Sequence, residues 1–109
     1  MEVFFESKHL ASACSSRKAS VQTFGVERAQ KLERRLQQLR AVESLDDLRH
    51  APGRCHELIA DRAGSLSLDL DHPYRLIFRP TLPNSNRDGG LEWSDVDSVT
   101  VIEISDTHE

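Results

Sequence analysis

The clearest hydrophobic pattern in the chain lies in residues 53–78, GRCHELIADRAGSLSLDLDHPYRLIF. Leu66, Leu68 and Leu70 alternate strictly with Ser65, Ser67 and Asp69, the period of two that belongs to a strand with one buried face. Asp71-His72-Pro73 breaks the alternation. Proline cannot donate to a ladder, and Asx and proline favour turns, so residues 74–78 are expected to return as a second strand. Upstream, Ala63-Gly64 separates this hairpin from the apolar-bearing residues 55–59, and the whole stretch predicts a meander of three antiparallel strands. Leu66, Leu68 and Leu70 should then face the two long helices of the chain.

Ahead of the meander the period changes. Residues 3–5 form a short apolar run, read as a first or edge strand. Within residues 9–22, Leu10, Cys14, Arg17 and Val21 recur at helical spacing, and Thr23-Phe24-Gly25 ends that helix. Residues 26–42 give the strongest helix, with Val26, Ala29, Leu32, Leu36 and Leu39 stepping by three and four along one face. Ser44 opens a one-turn helix with Asp47 at the capping-box position, and Ala51-Pro52-Gly53 closes it. After the meander, residues 79–90 are rich in turn formers and read as a loop. Residues 96–104 carry Val99, Val101, Ile102 and Ile104 on both faces, as an interior strand would. Strands gathered after helices predict one α+β domain over residues 1–109: a two-helix hairpin on one face of a mainly antiparallel, twisted sheet of about four to five strands. The other sheet face is then either solvated or a binding surface.

Composition narrows this without deciding it. The longest apolar runs fall far short of the roughly 18 residues of a membrane span, and the opening MEVFFESKHL has acidic residues where a secretion signal is basic, so the expected location is the cytoplasm. Cys14 and Cys55 are expected to be small buried hydrophobes, not a bridge. The net charge of −4 argues against a nucleic-acid partner until its distribution is considered. Between Arg17 and Arg40 seven basic residues face two acidic ones, whereas from Ser65 onward three arginines face nine carboxylates. The chain is a dipole in sequence, and an RNA partner stays open.

Several side chains are candidates for chemistry, each with a plainer alternative. Arg75 has the opposite parity to Tyr74, Leu76 and Phe78, which places it on the uncovered face, free for a ligand or paired with Asp69 or Asp71. His56 sits between Cys55 and Glu57, but neighbours on a strand point to opposite faces and cannot close on one metal ion. His9, His50 and His72 are expected at the surface, and Trp93 is expected to cover the sheet edge more than to stack on a base. The basic face of residues 26–42 is either simply solvated or an RNA contact.

The segments His56-Glu-Leu-Ile-Ala-Asp-Arg-Ala-Gly64, Leu66-Ser-Leu-Asp-Leu70, Pro73-Tyr-Arg-Leu-Ile-Phe78 and Val101-Ile-Glu-Ile-Ser-Asp-Thr-His108 resemble the RelE superfamily of toxins from toxin-antitoxin systems, in its HigB-like (plasmid maintenance killer) branch. The resemblance covers nearly the whole chain. It implies the RelE-like fold and a translation-inhibiting mRNA endonuclease that works at the ribosome without cofactor or metal. It also implies a helix-turn-helix, HigA-like antitoxin, through which alone the protein would meet DNA. In that chemistry the RNA 2′-hydroxyl attacks its own phosphate, so the protein must supply a base, an acid and cations. Arg75 matches the phosphate-clamping arginine, His108 the C-terminal histidine that moves protons, and Tyr74 and Arg62 further catalytic positions. Arg28, Lys31, Arg35 and Arg54 are the candidate RNA contacts. The chain departs from the pattern at Ile59, where many relatives have lysine, at Thr107 in place of tyrosine, and at Asp69, where some relatives carry a basic residue. The runner-up reading is a non-catalytic toxin or co-repressor on the same fold, acting on a gyrase-type target or on operator DNA through its antitoxin.

Overall fold

The computed structural model describes residues 1–82 and 90–106. It is a mixed α+β fold of three α-helices and one five-stranded sheet: β1 (Glu2–Phe5), α1 (Lys8–Ala13), α2 (Arg17–Phe24), α3 (Val26–Ala41), β2 (His56–Glu57), β3 (Leu66–Asp69), β4 (Tyr74–Pro80) and β5 (Ser98–Asp106). Across the sheet the order is β1-β5-β4-β3-β2, with β1 parallel to β5 and every other pair antiparallel. The short first strand is therefore an edge, as its length suggests, and β5 lies in the interior.

The leucine alternation decides which face of the sheet is buried. Leu66 and Leu68 are fully covered, and β3 pairs Leu66 with Phe78 and Leu68 with Leu76, so the buried side chains of two strands stack into one layer. Leu32, Leu36 and Leu39 of α3 belong to the same core, with Leu10 of α1 and Val99 and Val101 of β5. α3 is thus the helix that covers the sheet. The expected long first helix is instead two. Ser16 accepts from the Ala19 N–H at 3.1 Å and starts α2 afresh, and the Ser20 hydroxyl donates to the Ala13 carbonyl at 2.8 Å, which holds α1 and α2 at their corner. Serines that bond to nearby main chain favour caps over helix interiors, which is why the run breaks at Ser15-Ser16. α2 buries only Ser20, so it packs on α3 and not on the leucines of β3. Val26, expected on the buried stripe, stands exposed at the start of α3.

Two local irregularities shape the sheet. Residues 55–59 shrink to the two-residue β2, because Arg54 and Ala60 take positive φ (49° and 55°) and the chain turns into a 3₁₀ turn, Ala60–Arg62. In β5 the register with β4 shifts between Ile77, opposite Glu103, and Phe78, opposite Val101, so Ile102 is an extra, bulged residue. The bulge explains the apolar residues of both parities: Val99 and Val101 reach the core before it, and Ile104 packs on the core after it. β4 itself runs on through Arg79 and Pro80, which sequence assigned to the loop, while residues 83–89 of that loop lie outside the described part.

The ends of the sheet are tied down by polar contacts. Asp47 accepts from the backbone N–H groups of Glu43 and Ser44 at 3.2 and 3.4 Å, as its capping-box position implies. Glu57 on β2 accepts from the Trp93 indole at 2.9 Å and the Leu91 N–H at 3.2 Å, so the tryptophan is a buried part of the core drawn onto the sheet edge. Arg35 of α3 donates to the Asp69 carbonyl at 2.7 Å, and the Asp69 N–H donates to the Gly53 carbonyl at 2.8 Å. Burial holds the Arg35 guanidinium below its ordinary pKa range, partly offset by the charge of Asp69. Gly53 has φ +107°, and a Cβ there would lie 3.0 Å from both Arg35 Nε and Leu68 Cδ2. No described helix is long and apolar enough to cross a membrane.

Gly53→Ala is expected to cost about 2 to 3 kcal/mol in urea unfolding, from positive φ plus overpacking. Gly64→Ala, at φ +91° with open space around it, should lose only about 1 kcal/mol. Equal losses would mean that the close approach of Arg35 contributes nothing. Cys14 and Cys55 are free thiols, and burial pushes them up to about 11 and about 12. Both should ignore a disulfide reagent at pH 8 and react on unfolding, since the thiolate is the nucleophile. A raised thiol pKa contributes stability below the unfolded value near 9 that is lost as pH rises through 11. The urea midpoint should therefore fall over that window, and a flat alkaline limb would refute it.

Candidate functional site on the open sheet face

The parity that buries the leucines turns Ser67, Asp69, Arg75, Ile77 and Arg79 to the opposite face. The ladder sets Ser105 beside Arg75, Glu103 beside Ile77, Thr100 beside Arg79 and His56 beside Ser67. Among the described residues no helix packs on this face. It is nevertheless not bare, for Ser67 and Ile77 are 0% and 1% exposed. Arg62, in the turn after β2, donates to Glu103 on β5. This contact links the turn after β2 to β5, across the strands that carry Ser67 and Ile77.

Asp69 is the centre of the adjacent row. Arg54 grips its carboxylate with both arms of the fork, Nε to Oδ2 at 2.6 Å and Nη2 to Oδ1 at 3.3 Å, and this hydrogen bond, with the attendant charge attraction, raises the Arg54 pKa. Arg75 Nε lies 3.5 Å from Oδ1 of the same carboxylate, and the arginine side chain is only 14% exposed. Arg79, two rows along β4, reaches Glu6 at 4.0 Å. His56 contacts the Arg54 carbonyl through Nδ1 at 2.8 Å. A carbonyl only accepts, so Nδ1 carries a proton, and Nε2 lies 3.5 Å from the Ser67 hydroxyl.

The structure brings Arg54, Arg62 and Arg75 onto this face and leaves the other predicted residues elsewhere. Tyr74 has core-side parity, and its ring lies under the Arg28 guanidinium at 3.4 Å. Arg28 in turn binds Asp71 through two contacts of 3.1 and 3.2 Å, a half-buried pair stacked on an aromatic ring, so it fastens α3 to the β3–β4 turn where a solvent-facing RNA contact was expected. Arg35 is likewise spent on the Asp69 carbonyl and on Gln38. Lys31 lines an open groove on α3 with Arg34, Gln37 and Pro52, away from the sheet face. His108 and Thr107 lie outside the described residues. His9, His50 and His72 are exposed, and no cluster of metal-ligating residues occurs among the described residues.

Sequence reasoning missed three members of the face. His56 was set aside as a strand residue, yet its pairing with Ser67 puts the ring on the same side as Asp69. Glu103 and Ser105 were hidden by the bulge, which shifts their parity relative to Val99 and Val101. Together the face offers planar cations for an oxyanion, carboxylates, and a half-buried imidazole.

No protein-family model matches the sequence, and no curated protein matches it either. Similarity is found among solved structures. The YoeB/ParE toxin from Agrobacterium tumefaciens superposes with a TM-score of 0.59 at 13% identity, over 99% of this chain and 100% of that one. The YoeB-YefM complex from Staphylococcus aureus gives a TM-score of 0.56 at 12% identity, over 100% of this chain and 98% of that one. The chain thus has the mixed α+β fold of these toxin structures.

Proposed function

We propose that this protein is the toxin of a toxin-antitoxin system and an endoribonuclease that cuts mRNA at the ribosome. The observation that carries the reading is the pair of guanidinium groups, Arg54 and Arg75, converging on one oxyanion on the sheet face opposite the α-helices. The toxin fold and the sequence resemblance support it. In the proposed reaction the ribose 2′-oxygen bonds to the adjacent phosphorus as its proton passes to a base. The bond to the 5′-oxygen then breaks, and that oxygen takes a proton from an acid, leaving a cyclic phosphate on the upstream fragment. Arg75 stabilises the extra negative charge on the pentacoordinate phosphorus. His108 is the proposed proton carrier, and Arg62 adds positive charge at the Glu103 end. Tyr74 supports the site from behind, through the Arg28–Asp71 clamp. Lys31, in the separate groove on α3, and Arg54, in the central pair, are proposed to meet the RNA backbone.

The Staphylococcus aureus neighbour is a YoeB-YefM complex. A protein partner is proposed here on the same grounds, a HigA-like helix-turn-helix antitoxin that masks the face and supplies any DNA contact. A second reading, a non-catalytic toxin or co-repressor, is favoured by one specific observation: Asp69 and Glu103 already neutralise the arginines of the face.

Arg75→Lys separates the two readings. It keeps the charge and most of the stem of a largely covered side chain but loses the fork. Growth arrest and mRNA cleavage, mapped by primer extension after induction, should drop by roughly 10²- to 10³-fold. The urea midpoint should move by no more than about 1 kcal/mol equivalent. His108→Gln should lose cleavage to a similar extent. Undiminished arrest without cleavage in either variant would transfer the case to the non-catalytic reading.

A further inference from the structure

The open face holds one arrangement that the cleavage chemistry does not require: a carboxylate between its arginines. Asp69 has the Arg54 fork at 2.6 and 3.3 Å on one flank and Arg75 Nε at 3.5 Å on the other. That is how guanidinium groups hold a phosphate oxyanion.

The strand end has an anchor separate from this carboxylate. What anchors the end of β3 is the main chain of Asp69, its N–H donating to the Gly53 carbonyl at 2.8 Å and its carbonyl accepting from Arg35 at 2.7 Å. From these contacts we infer that the Asp69 side chain is a built-in competitor for phosphate. It holds the place between Arg54 and Arg75 that an RNA phosphate takes, and so sets the affinity and salt response of the face. The inference rests on the RNA reading of that face. With Asp69 charged, the two arginines present one net positive charge to a ligand; with it neutral they present two. For single strands the logarithm of affinity falls with the logarithm of salt by about 0.7 per phosphate neutralised, so removing one counter-charge should steepen that slope by about 0.7.

Asp69→Asn tests this, because it keeps shape and both main-chain bonds. Two probes are used: anisotropy of a short labelled single-stranded RNA between about 50 and 200 mM salt, and thermal stabilisation by inorganic phosphate at constant ionic strength. The variant should bind RNA about tenfold tighter at low salt, the size of one added charge-assisted contact, with the steeper slope. Phosphate should stabilise the variant more than the wild type. Both gains should vanish in the Asp69→Asn/Arg54→Ala double variant, where an exposed member of the pair is gone. A gain for phosphate with RNA unchanged upholds the competitor role and removes the RNA reading instead. Equal or weaker binding of both anions overturns the inference. So does a gain that survives Arg54→Ala, or an Asn variant that no longer unfolds cooperatively, since the carboxylate would then belong to the fold.

Discussion

Where β3 ends, the main chain of Asp69 is held from two sides, by Gly53 in the turn before β2 and by Arg35 from the covering helix α3. These bonds fix more than a strand end. They fix the register in which Leu68 meets Leu76 and Asp69 meets Arg75, and in a strand of period two a slip of one residue would turn the leucines to solvent and the aspartate into the core. The arginine centre on the open face therefore exists only because the covering helix is locked to the strand beneath it. Gly53 permits the approach, as a side chain there would strike both Arg35 and Leu68.

The bulge at Ile102 plays the corresponding part in β5. Without it, a strand with Val99 and Val101 in the core would place Glu103 in the core and Ile104 on the open face. With one residue unpaired, Ile104 returns to the core opposite Leu76, and Glu103 stands opposite Ile77, where Arg62 reaches it. The irregularity is what lets one strand supply an apolar row to one side and a charged row to the other.

How much of this could be read from the chain depended on whether a residue's fate was set locally. The alternation of Leu66, Leu68 and Leu70, the stripe of Leu32, Leu36 and Leu39, and the Asp47 cap are local, and they gave the fold class and the buried face. The break at Ser15-Ser16 was locally encoded too, but a pattern of apolar spacings does not weigh a serine that begins a new helix against one that continues the old. The candidate site was legible in part: parity alone put Arg75 on the open face. It was not legible that Arg28 would be taken by Asp71 and Tyr74, or Arg35 by a carbonyl more than thirty residues away, because those partners meet only in the folded molecule. His56 was weighed only as a metal ligand, and its place beside Ser67 comes from a strand pairing that such a test does not address.

The same long-range pairings change what the charge pattern means. Read along the chain, a basic helix and an acidic second half suggest a strongly cationic surface for RNA. In the folded protein the acidic stretch supplies counter-charges to arginines spread along the chain: Asp71 to Arg28, Asp69 to Arg54 and Arg75, Glu103 to Arg62. Paired charges at short range create little field at a distance, so such a face attracts a polyanion weakly until contact is made. What remains is geometric, with planar donors set at fixed angles by a rigid sheet and ready to exchange one oxyanion for another. On the proposed reading, discrimination on this face comes from the fit of a particular phosphate between Arg54 and Arg75 in competition with Asp69, and much less from bulk electrostatic attraction.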